Sequence, residues 1–418
     1  MRAMVCTRLS PYATRFASRL PVIAARAAVV SDEVLASQAG LDVLRRGGNA
    51  ADAALAMSAC MQVLQPYSTG VGGDCFALYY DARTKKVHCV DGSGRSPAAL
   101  TLEQVQTHSR AEGPLLKRAA GLYATVPGAP KAWFYIARRF GSGKLTLSEI
   151  FDPAVRCAEH GFPMDHSKKL IWALRHKDLQ RKPGGRYFLD EDGRVPSLGQ
   201  IITNRPLAAL LRRLAQEGPR VMYEGPVAES MVDAVRQAGG VLSTEDLAAH
   251  LASTEPLEVE PISTTYRGDV RVHTTPLPTQ GAVLLETLNI LEGFDLQGLR
   301  HIPGDFEHVV IEALRHAVAD GLRHVADAAS GGSVGELLSK ERASKLREQV
   351  KLDRRVERVY PEVALPYGQS GTTFAAAADD VGNVCAMMGS IALSFGCAVV
   401  KEHGFAVQVR EQSRELIQ

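Results

Sequence analysis

Two helices are predicted at the start of the regular hydrophobic pattern. Ser31, followed by two acids, is a typical N-cap for the first helix, and Gly47 ends it. A run rich in alanine and methionine, Ala50–Leu64, predicts the second helix, with Asn49 as its cap and Pro66 as its end. The apolar positions of the first helix recur at helical spacing: Val34, Leu35, Leu41 and Leu44.

Strands are predicted towards both ends of the chain. Residues 76–80 and 87–90 have strand-like patterns after a glycine turn at 70–73. Residues 372–378 and 384–388 form a second pair of predicted strands around a short turn. Strands at the two ends with helices between them predict a layered α/β protein whose sheet is completed by the C-terminal part.

The middle of the chain, from about residue 100 to 327, has a mainly helical pattern. Pro153, within Phe-Asp-Pro-Ala, marks the start of a helix that Gly161 ends, and Ser243 caps another. Residues 337–357 are densely charged, which is typical of a solvated helix face. Two longer periodic segments predict helices over residues 280–292 and 305–326.

Composition and charge are those of an ordinary globular enzyme. The 418 residues are 45% hydrophobic and 22% charged, with a formal net charge of +2 spread along the chain. Nothing resembles the basic stripe that nucleic-acid binding requires. No stretch approaches about 20 uninterrupted apolar residues, so no membrane association is expected. The first 20 residues contain no acid, which leaves a transit peptide open, and a cytoplasmic location is the default expectation.

Neither a metal site nor a disulfide framework is indicated. The seven cysteines are scattered, odd in number and contain no CxxC pair, so they are expected to be small buried hydrophobes. His316 and His324 lie eight residues apart, a spacing that suits metal ligation poorly, and a solvated helix face is expected there.

Gly371-Thr372-Thr373 is the first candidate for catalysis. A threonine hydroxyl is a weak nucleophile unless a base lies beside it. If the chain is cut immediately before Thr372, the freed α-amine, with an ordinary pKa of about 7.7–8.0, supplies that base. Gly371 offers little steric resistance to the bent peptide that self-cleavage requires. The tripeptide alone fits the start of an ordinary strand equally well, so its surroundings decide.

The surrounding motifs form a recognisable series. In chain order they are LRRGGNAADA at 44–53, STGVGGD at 68–74, DGSGRSP at 91–97, TVPG at 125–128, AGGVLS at 238–243, LNILEGF at 288–294, GTT at 371–373, GN at 382–383 and SFG at 394–396. With these motifs in this order, residues 21–404 resemble the γ-glutamyltransferase (glutathione hydrolase) family, especially its soluble bacterial-type branch. No single motif is decisive, but the ordered set makes chance similarity implausible.

The resemblance implies an N-terminal-nucleophile (Ntn) hydrolase with an αββα sandwich, made as a proenzyme that cuts itself between Gly371 and Thr372. Residues 21–371 then form the large-subunit region and residues 372–418 the small-subunit region, after an extension at 1–20. The implied substrates are glutathione and other γ-glutamyl amides, with water, an amino acid or a dipeptide as acceptor of the γ-glutamyl group. No cofactor is implied.

Individual roles follow from the same resemblance. Thr372 is the implied nucleophile, and Ser390 is the hydroxyl residue that hydrogen-bonds and orients it. Arg95 occupies the position of an arginine that binds the substrate α-carboxylate, a task that suits a bidentate guanidinium. The glycines at 70–73 are expected to allow close packing under the site, and Asp52 to cap or pair within its helix.

The chain also departs from the family pattern. Family members carry a longer small subunit, so the acid that holds the substrate amino group, a serine pair and the glycine pair of the oxyanion hole have no counterpart here, and the C-terminal sheet strands are expected to be partly missing. Ala392 replaces a polar residue. Two alternatives therefore stand beside an active γ-glutamyl enzyme: a catalytically dead, truncated remnant, and a related acylase of the same fold with a different acyl group, such as glutaryl. Arg95 favours a substrate with an α-amino-acid head.

Overall fold

The computed structural model describes residues 22–112, 120–255, 257–325, 334–357 and 370–409. The helices are α1 (Val34–Arg45), α2 (Ala50–Leu64), α3 (Leu102–Glu112), α4 (Ala129–Phe140), α5 (Leu147–His160), α6 (His166–Arg181), α7 (Arg205–Glu217), α8 (Arg220–Tyr223), α9 (Pro226–Gln237), α10 (Thr244–Ala252), α11 (Gly281–Leu291), α12 (Leu296–Leu299), α13 (Asp305–His324) and α14 (Lys340–Arg347). The strands are β1 (Ala28–Ser31), β2 (Asp74–Asp81), β3 (Lys86–Gly92), β4 (Phe162–Pro163), β5 (Ile201–Ile202), β6 (Glu258–Val259), β7 (Ile262–Tyr266), β8 (Val270–Thr274), β9 (Ser370–Ala378), β10 (Val384–Leu393), β11 (Ala398–Val400) and β12 (Phe405–Val407).

A six-stranded antiparallel sheet forms the centre, in the order β1-β9-β10-β2-β3-β6. β9, from the C-terminal part, therefore lies between the N-terminal strand β1 and its own hairpin partner β10. Successive side chains of a strand alternate between the two faces of the sheet. Ala375 and Ala377 of β9 are buried on one face, whereas Thr372 and Phe374 lie on the other and are exposed.

Helix α2 covers the packed face of this sheet. All of its residues are buried, and its many alanines allow close approach to the alanines of β9. Its N-terminus carries a capping box, in which the Asn49 side chain accepts from the backbone of Asp52 and the Asp52 carboxylate accepts from the backbone of Asn49. Asp379, at the end of β9, also accepts from Ala50 N at 3.1 Å. The sheet and the helix start are thereby fixed to one another.

A second hydrophobic cluster lies between α11, α13 and α14, around Ile290 and Val309. Its polar centre is the Glu286 carboxylate of α11 and the Asp320 carboxylate of α13, which share the Arg342 guanidinium of α14. Burial, followed by the neighbouring Asp320, raises the pKa of Glu286 to about 8. The cluster therefore favours a protonated Glu286 at neutral pH.

Most predicted elements are confirmed by the structure. Helix α2 has the predicted bounds and cap, Ser243 caps α10 with a capping box, and the two long periodic segments are α11 and α13. The predicted strands are β2, β3, β9 and β10, each longer than predicted. Asp52 takes its expected role in the cap. Tyr360-Pro361 and Pro366-Tyr367-Gly368 predict a short irregular segment, which lies outside the described residues.

Two predictions about helix starts are wrong. Ser31 is not the N-cap of the first helix, because it pairs with Ala375 as the last residue of β1, and Glu33 takes the cap position of α1. Helix α5 begins at Leu147 rather than near Pro153, because Thr146 and Glu149 form a capping box one and a half turns earlier. In the first helix the buried positions also differ from the predicted apolar ones: they are Ala36, Ala39, Gly40 and Val43.

Two further predictions need correction in the middle of the chain. His316 does not lie on a solvated face, because α13 packs against α11 and also contacts α14, and only 5% of His316 is exposed. Burial lowers the pKa of its imidazole. The mainly helical region also contains the β7–β8 hairpin. Its strands are five residues long, and the hydrophobic pattern does not separate them from the neighbouring helices.

Candidate active site

Thr372 and Ser390 face each other across the β9–β10 pair. Thr372 Oγ1 donates to Ser390 Oγ at 3.2 Å, and Ser390 Oγ donates in turn to the carbonyl oxygen of Gly371 at 3.0 Å. The structure thus brings together three sequence-predicted site residues: the candidate nucleophile, its orienting hydroxyl and the residue whose peptide bond would be cut. Thr372 is exposed on the open face of the sheet.

A β-bulge in β10 fixes the Ser390 hydroxyl. The register of the pairing shifts between Ser390 and Ala392, and Ala392 has a positive φ of 59°. In this conformation the backbone N–H of Ala392 donates to Ser390 Oγ at 3.0 Å. With lone pairs occupied by Thr372 and Ala392, the Ser390 proton is directed to Gly371 O.

The position of Gly371 admits no side chain. A Cβ added there would lie 2.7 Å from both Cα and Oγ of Ser68 and 2.9 Å from the carbonyl oxygen of Tyr67. Such distances are well inside van der Waals contact, and two of the three atoms belong to the backbone. The backbone approach that brings the Gly371 carbonyl to Ser390 therefore requires glycine.

The glycine turn at 70–73 packs directly under this site, as the sequence predicts. Gly73 is the clearest case, because an added Cβ would lie 2.3 Å from the carbonyl oxygen of Ser390. The same segment contacts β10 again where Ile391 N donates to Ser68 O at 3.1 Å. Residues 68–73 therefore support both β9 and the bulge of β10.

Arg95, the candidate carboxylate-binding residue, lies in the loop after β3. Its guanidinium forms an ion pair with Glu255, and both side chains are about two-thirds exposed (70% and 67%). Its loop is connected to the strand beside Ser390, because Gly94 N donates to Asp74 Oδ1 at 3.0 Å and Asp74 pairs with Ser390 in the β2–β10 register. Two strand spacings, about 10 Å in total, separate Asp74 from Thr372 across the sheet.

Lys131 and His250 lie near Arg95. Lys131 Nζ donates to the carbonyl oxygens of His250 and Ser253, both at 2.8 Å, and burial lowers the pKa of this amine. Burial, with smaller contributions from Lys131 and Arg95, lowers the pKa of His250 to about 4. His250 is therefore neutral at physiological pH, and the positive charge here belongs to the lysine and the arginine.

A cavity of about 670 Å³ lies between α6, α9 and β11. Lys182 lines it and donates to the carbonyl oxygens of Phe395 (2.9 Å) and Gly396 (2.6 Å). Burial lowers the pKa of Lys182 to about 8. The residues lining this cavity do not include Thr372, Ser390 or Arg95, so it is separate from the candidate active site.

Five cysteines of the described ranges are buried free thiols, as predicted: Cys60, Cys75, Cys89, Cys385 and Cys397. Cys157 departs from the prediction, because it is a free thiol that is only partly buried. Burial raises the pKa of Cys75 to about 12, which makes it unreactive as a thiolate. The part of the chain that the structure describes contains no group of three or more His, Cys, Asp or Glu side chains arranged to hold a metal ion. No helix among residues 22–112, 120–255, 257–325, 334–357 and 370–409 is long and apolar enough to span a bilayer.

Sequence reasoning missed several polar residues around the site. Asp74 belongs to one of the family motifs, and its position after three glycines was the available signal. Glu255 and Gln408 lie in unremarkable surroundings, and only the folded chain brings them to Arg95 and Asp74.

The family model for gamma-glutamyltranspeptidase matches residues 36–414. The chain belongs to this family. A glutathione hydrolase-like proenzyme of Bacillus subtilis, YwrD, is 33% identical over 384 residues, which are 90% of this chain and 69% of that protein. The Acylase ACY 1 proenzyme of a Pseudomonas species (strain SE83) is 31% identical, over 91% of this chain and 68% of the acylase. The chain therefore belongs to a family of hydrolases and transferases, and its relatives include one named as a glutathione hydrolase-like protein and one named as an acylase.

Solved structures of the family have the same fold. A cephalosporin acylase from Bacillus halodurans superposes with a TM-score of 0.79 at 33% identity, covering 98% of this chain and 73% of the acylase chain. The gamma-glutamyltranspeptidase of Helicobacter pylori gives 0.74 at 25% identity, over 84% of this chain and 100% of that chain. The predicted Ntn-hydrolase fold of mixed helices and sheet is confirmed.

Proposed function

We propose that this chain is a γ-glutamyl hydrolase/transferase proenzyme that cuts itself before Thr372 and then acts on glutathione and related γ-glutamyl amides. The observation that carries the proposal is the placement of one hydroxyl, Ser390 Oγ, 3.2 Å from Thr372 Oγ1 and 3.0 Å from Gly371 O. The two atoms that must react in self-cleavage share this hydrogen-bond partner.

Self-cleavage follows from that arrangement as a proton relay. Thr372 Oγ1 attacks the carbonyl carbon of Gly371 while its proton passes to Ser390 Oγ. The Ser390 proton passes to the Gly371 oxygen, so the tetrahedral intermediate forms without separated charges. Collapse re-forms the Gly371 C=O bond and breaks the Gly371–Thr372 C–N bond, and the proton on the Gly371 oxygen passes to the leaving nitrogen. Water then hydrolyses the resulting ester and leaves a Gly371 carboxylate and a free Thr372 α-amine.

The freed amine supplies the base for turnover. With an ordinary pKa of about 7.7–8.0, a large fraction of it is neutral near pH 7.5 and accepts the Thr372 hydroxyl proton. The alkoxide attacks the γ-glutamyl amide carbon, the amine product leaves with that proton, and a γ-glutamyl–Thr372 ester remains. Water, an amino acid or a dipeptide resolves the ester. Arg95 binds the substrate α-carboxylate. To do so, its guanidinium gives up the exposed ion pair with Glu255.

In this scheme residues 21–371 and 372–418 become the two subunit regions, with residues 1–20 as an extension. The scheme uses only protein groups and needs no cofactor. A second candidate function is acyl transfer from a different side chain, such as glutaryl. It is favoured by the similarity to acylases at 31–33% identity, which equals that to the glutathione hydrolase-like relative.

The test is intact mass spectrometry of the purified chain after incubation at neutral pH, beside a Thr372→Ala control. We expect two fragments that meet at Gly371–Thr372 and are absent from the control. The cut enzyme is then assayed with a γ-glutamyl anilide and with the matching glutaryl anilide, which lacks only the α-amino group. A single uncut mass in both samples would contradict the proposal and support a catalytically dead chain. Faster release from the glutaryl anilide would support the acylase alternative.

A further inference from the structure

Asp74 and Gln408 form a buried polar pair beside the candidate active site. Asp74, the first residue of β2, is 6% exposed, and Gln408, which follows β12, is 2% exposed. Gln408 Nε2 donates to Asp74 Oδ1 at 2.8 Å. A buried carboxylate is costly unless hydrogen-bond donors surround it, and Asp74 Oδ1 also accepts from the backbone N–H of Gly94 (3.0 Å) and Gly128 (3.3 Å).

Gln408 also connects Asp74 to the segment before α4. Its Nε2 lies 2.7 Å from Thr125 Oγ1 and 3.1 Å from the carbonyl oxygen of Val126. Its backbone N–H donates to the carbonyl oxygen of Gly72 at 2.9 Å, which holds it against the glycine turn. The side-chain amide and the backbone N–H of Gln408 therefore join the end of β12 to two segments from the first third of the chain, residues 72–74 and 125–126.

The loop that these contacts hold is the loop of Arg95. Gly94 precedes Arg95 and donates to Asp74, and the carbonyl oxygen of Arg95 accepts from Val126 N at 3.0 Å. The two segments touch backbone to backbone, since a Cβ on Gly94 would lie 1.5 Å from the carbonyl oxygen of Val126. The Arg95 backbone is consequently fixed on both sides of its α-carbon.

The other side of the pair leads to the nucleophile. Asp74 lies opposite Ser390 in the β2–β10 register, and Ser390 lies opposite Thr372 in the β10–β9 register. A chain of two backbone pairings and one side-chain contact thus connects the Arg95 loop to the Thr372 hydroxyl.

We propose that Asp74 and Gln408 are positioning residues that set the separation between the Arg95 guanidinium and the Thr372 hydroxyl, and so select acyl donors that carry an α-carboxylate at γ-glutamyl length. This inference rests on the roles of Thr372 and Arg95 in the proposed function. The hydrogen bonds of Asp74 and Gln408 described above reach the Arg95 loop and the segment before α4, not Thr372 or Gly371. Their effect is on the placement of Arg95, and displacing a binding group by about 1 Å is enough to change catalysis by one to two orders of magnitude.

The test compares Gln408→Met, which keeps side-chain length and removes the donor, with Asp74→Asn and wild type. A matched control is Asn289→Leu, which removes a fully buried amide hydrogen-bonded to Thr264 Oγ1 in the α11–α14 cluster. For Gln408→Met we expect KM for the γ-glutamyl anilide to rise about tenfold with kcat within about twofold. We also expect a fall of about tenfold in the preference for the γ-glutamyl anilide over the β-aspartyl anilide, which has the same α-amino-acid head but is one methylene shorter. The control should lower thermal stability and leave that preference unchanged.

Hydrogen exchange at the Gly94 and Gly128 amides gives an independent readout. Both should exchange faster in Gln408→Met and in Asp74→Asn than in Asn289→Leu. Unchanged exchange, or a preference that moves equally in the control, would overturn the positioning role. A wild-type chain that neither cuts itself nor releases anilide would contradict the proposed function instead, and the exchange data would then decide separately whether the pair anchors the Arg95 loop.

Discussion

The hydroxyl of Ser390 lies between the hydroxyl of Thr372 and the carbonyl of Gly371, at 3.2 Å and 3.0 Å. A single side chain thereby contacts both the attacking oxygen and the oxygen on which charge would develop. Since the bulge at Ala392 fixes the orientation of this hydroxyl, the geometry is present before any cut.

Removing that hydroxyl should slow self-cleavage. We expect Ser390→Ala to reduce its rate by about 10²-fold, the effect of losing one donor to a developing oxyanion, whereas Ser390→Thr should retain most of it. A time course of intact masses measures the rate. Ser37→Ala is a matched control, because it breaks a comparable hydroxyl pair, Ser31–Ser37 at 2.8 Å, away from the site. Equal rates in Ser390→Ala and wild type would contradict the relay.

Gly371→Ala should block self-cleavage for a steric reason. The added methyl group would lie 2.7 Å from Ser68 Cα, so the start of β9 must move and carry the Gly371 carbonyl away from Ser390. We expect no cut product and a loss of about 1–3 kcal/mol in the free energy of unfolding. Mass spectrometry and urea denaturation, each against the uncut Thr372→Ala chain, check the two effects. A variant that is cut at the wild-type rate would show that this close contact is not required.

Releasing Arg95 from Glu255 should have only a small effect. Both side chains are mostly exposed, and such ion pairs contribute little. We expect Glu255→Gln to lower KM for the γ-glutamyl anilide by at most about fivefold, and high salt to remove the difference. Steady-state kinetics at two salt concentrations measure it, with Glu260→Gln as the control for loss of an exposed carboxylate. A rise in KM would instead indicate that Glu255 helps to bind the substrate.

Glu286 should make stability depend on pH. Burial, then Asp320, raises its pKa in the folded chain to about 8, above the ordinary 4.5. Between these values the folded state holds a proton that the unfolded state lacks, so the free energy of unfolding should fall as pH rises from about 4.5 to 8. Glu286→Gln should remove this pH dependence. Relative to wild type, its free energy of unfolding should rise by on the order of a few kcal/mol between pH 5 and pH 8.

Urea denaturation at pH 5 and pH 8 measures the effect. The control is Glu336→Gln, which removes an exposed carboxylate that also contacts Arg342, at 3.4 Å. A wild-type protein that is equally stable at both pH values relative to Glu286→Gln would contradict a protonated Glu286.

Local signals predicted the parts of the fold that local chemistry determines. The Asn49 cap, the end of α2 at Pro66 and the turn at 379–383 were all predicted. In that turn Asp379 Oδ1 accepts from three successive backbone amides, Val381 to Asn383, an interaction internal to five residues.

The remainder depended on packing between distant segments. His316 has the polarity of a surface residue, and only the packing of α13 against α11 and α14 buries it. Ser31 has the sequence context of a cap, but pairing with Ala375, far along the chain, places it in a strand. Thr372 and Ser390 could be proposed from family motifs. The position of the Ser390 hydroxyl between Thr372 and Gly371 could not, because it depends on a one-residue register shift in β10.

The position of β9 has a consequence for how the processed protein would fold. β9 begins at Ser370 and lies between β1 and β10, so a break before Thr372 leaves the two pieces joined through the interior of one sheet. Unfolding would then release two separate molecules, and regaining the native state would become a second-order process. The uncut Thr372→Ala chain should recover at a rate independent of protein concentration. The processed form should refold more slowly when the protein is diluted. Cutting would therefore make the native state depend mainly on its slow rate of unfolding rather than on reversible refolding.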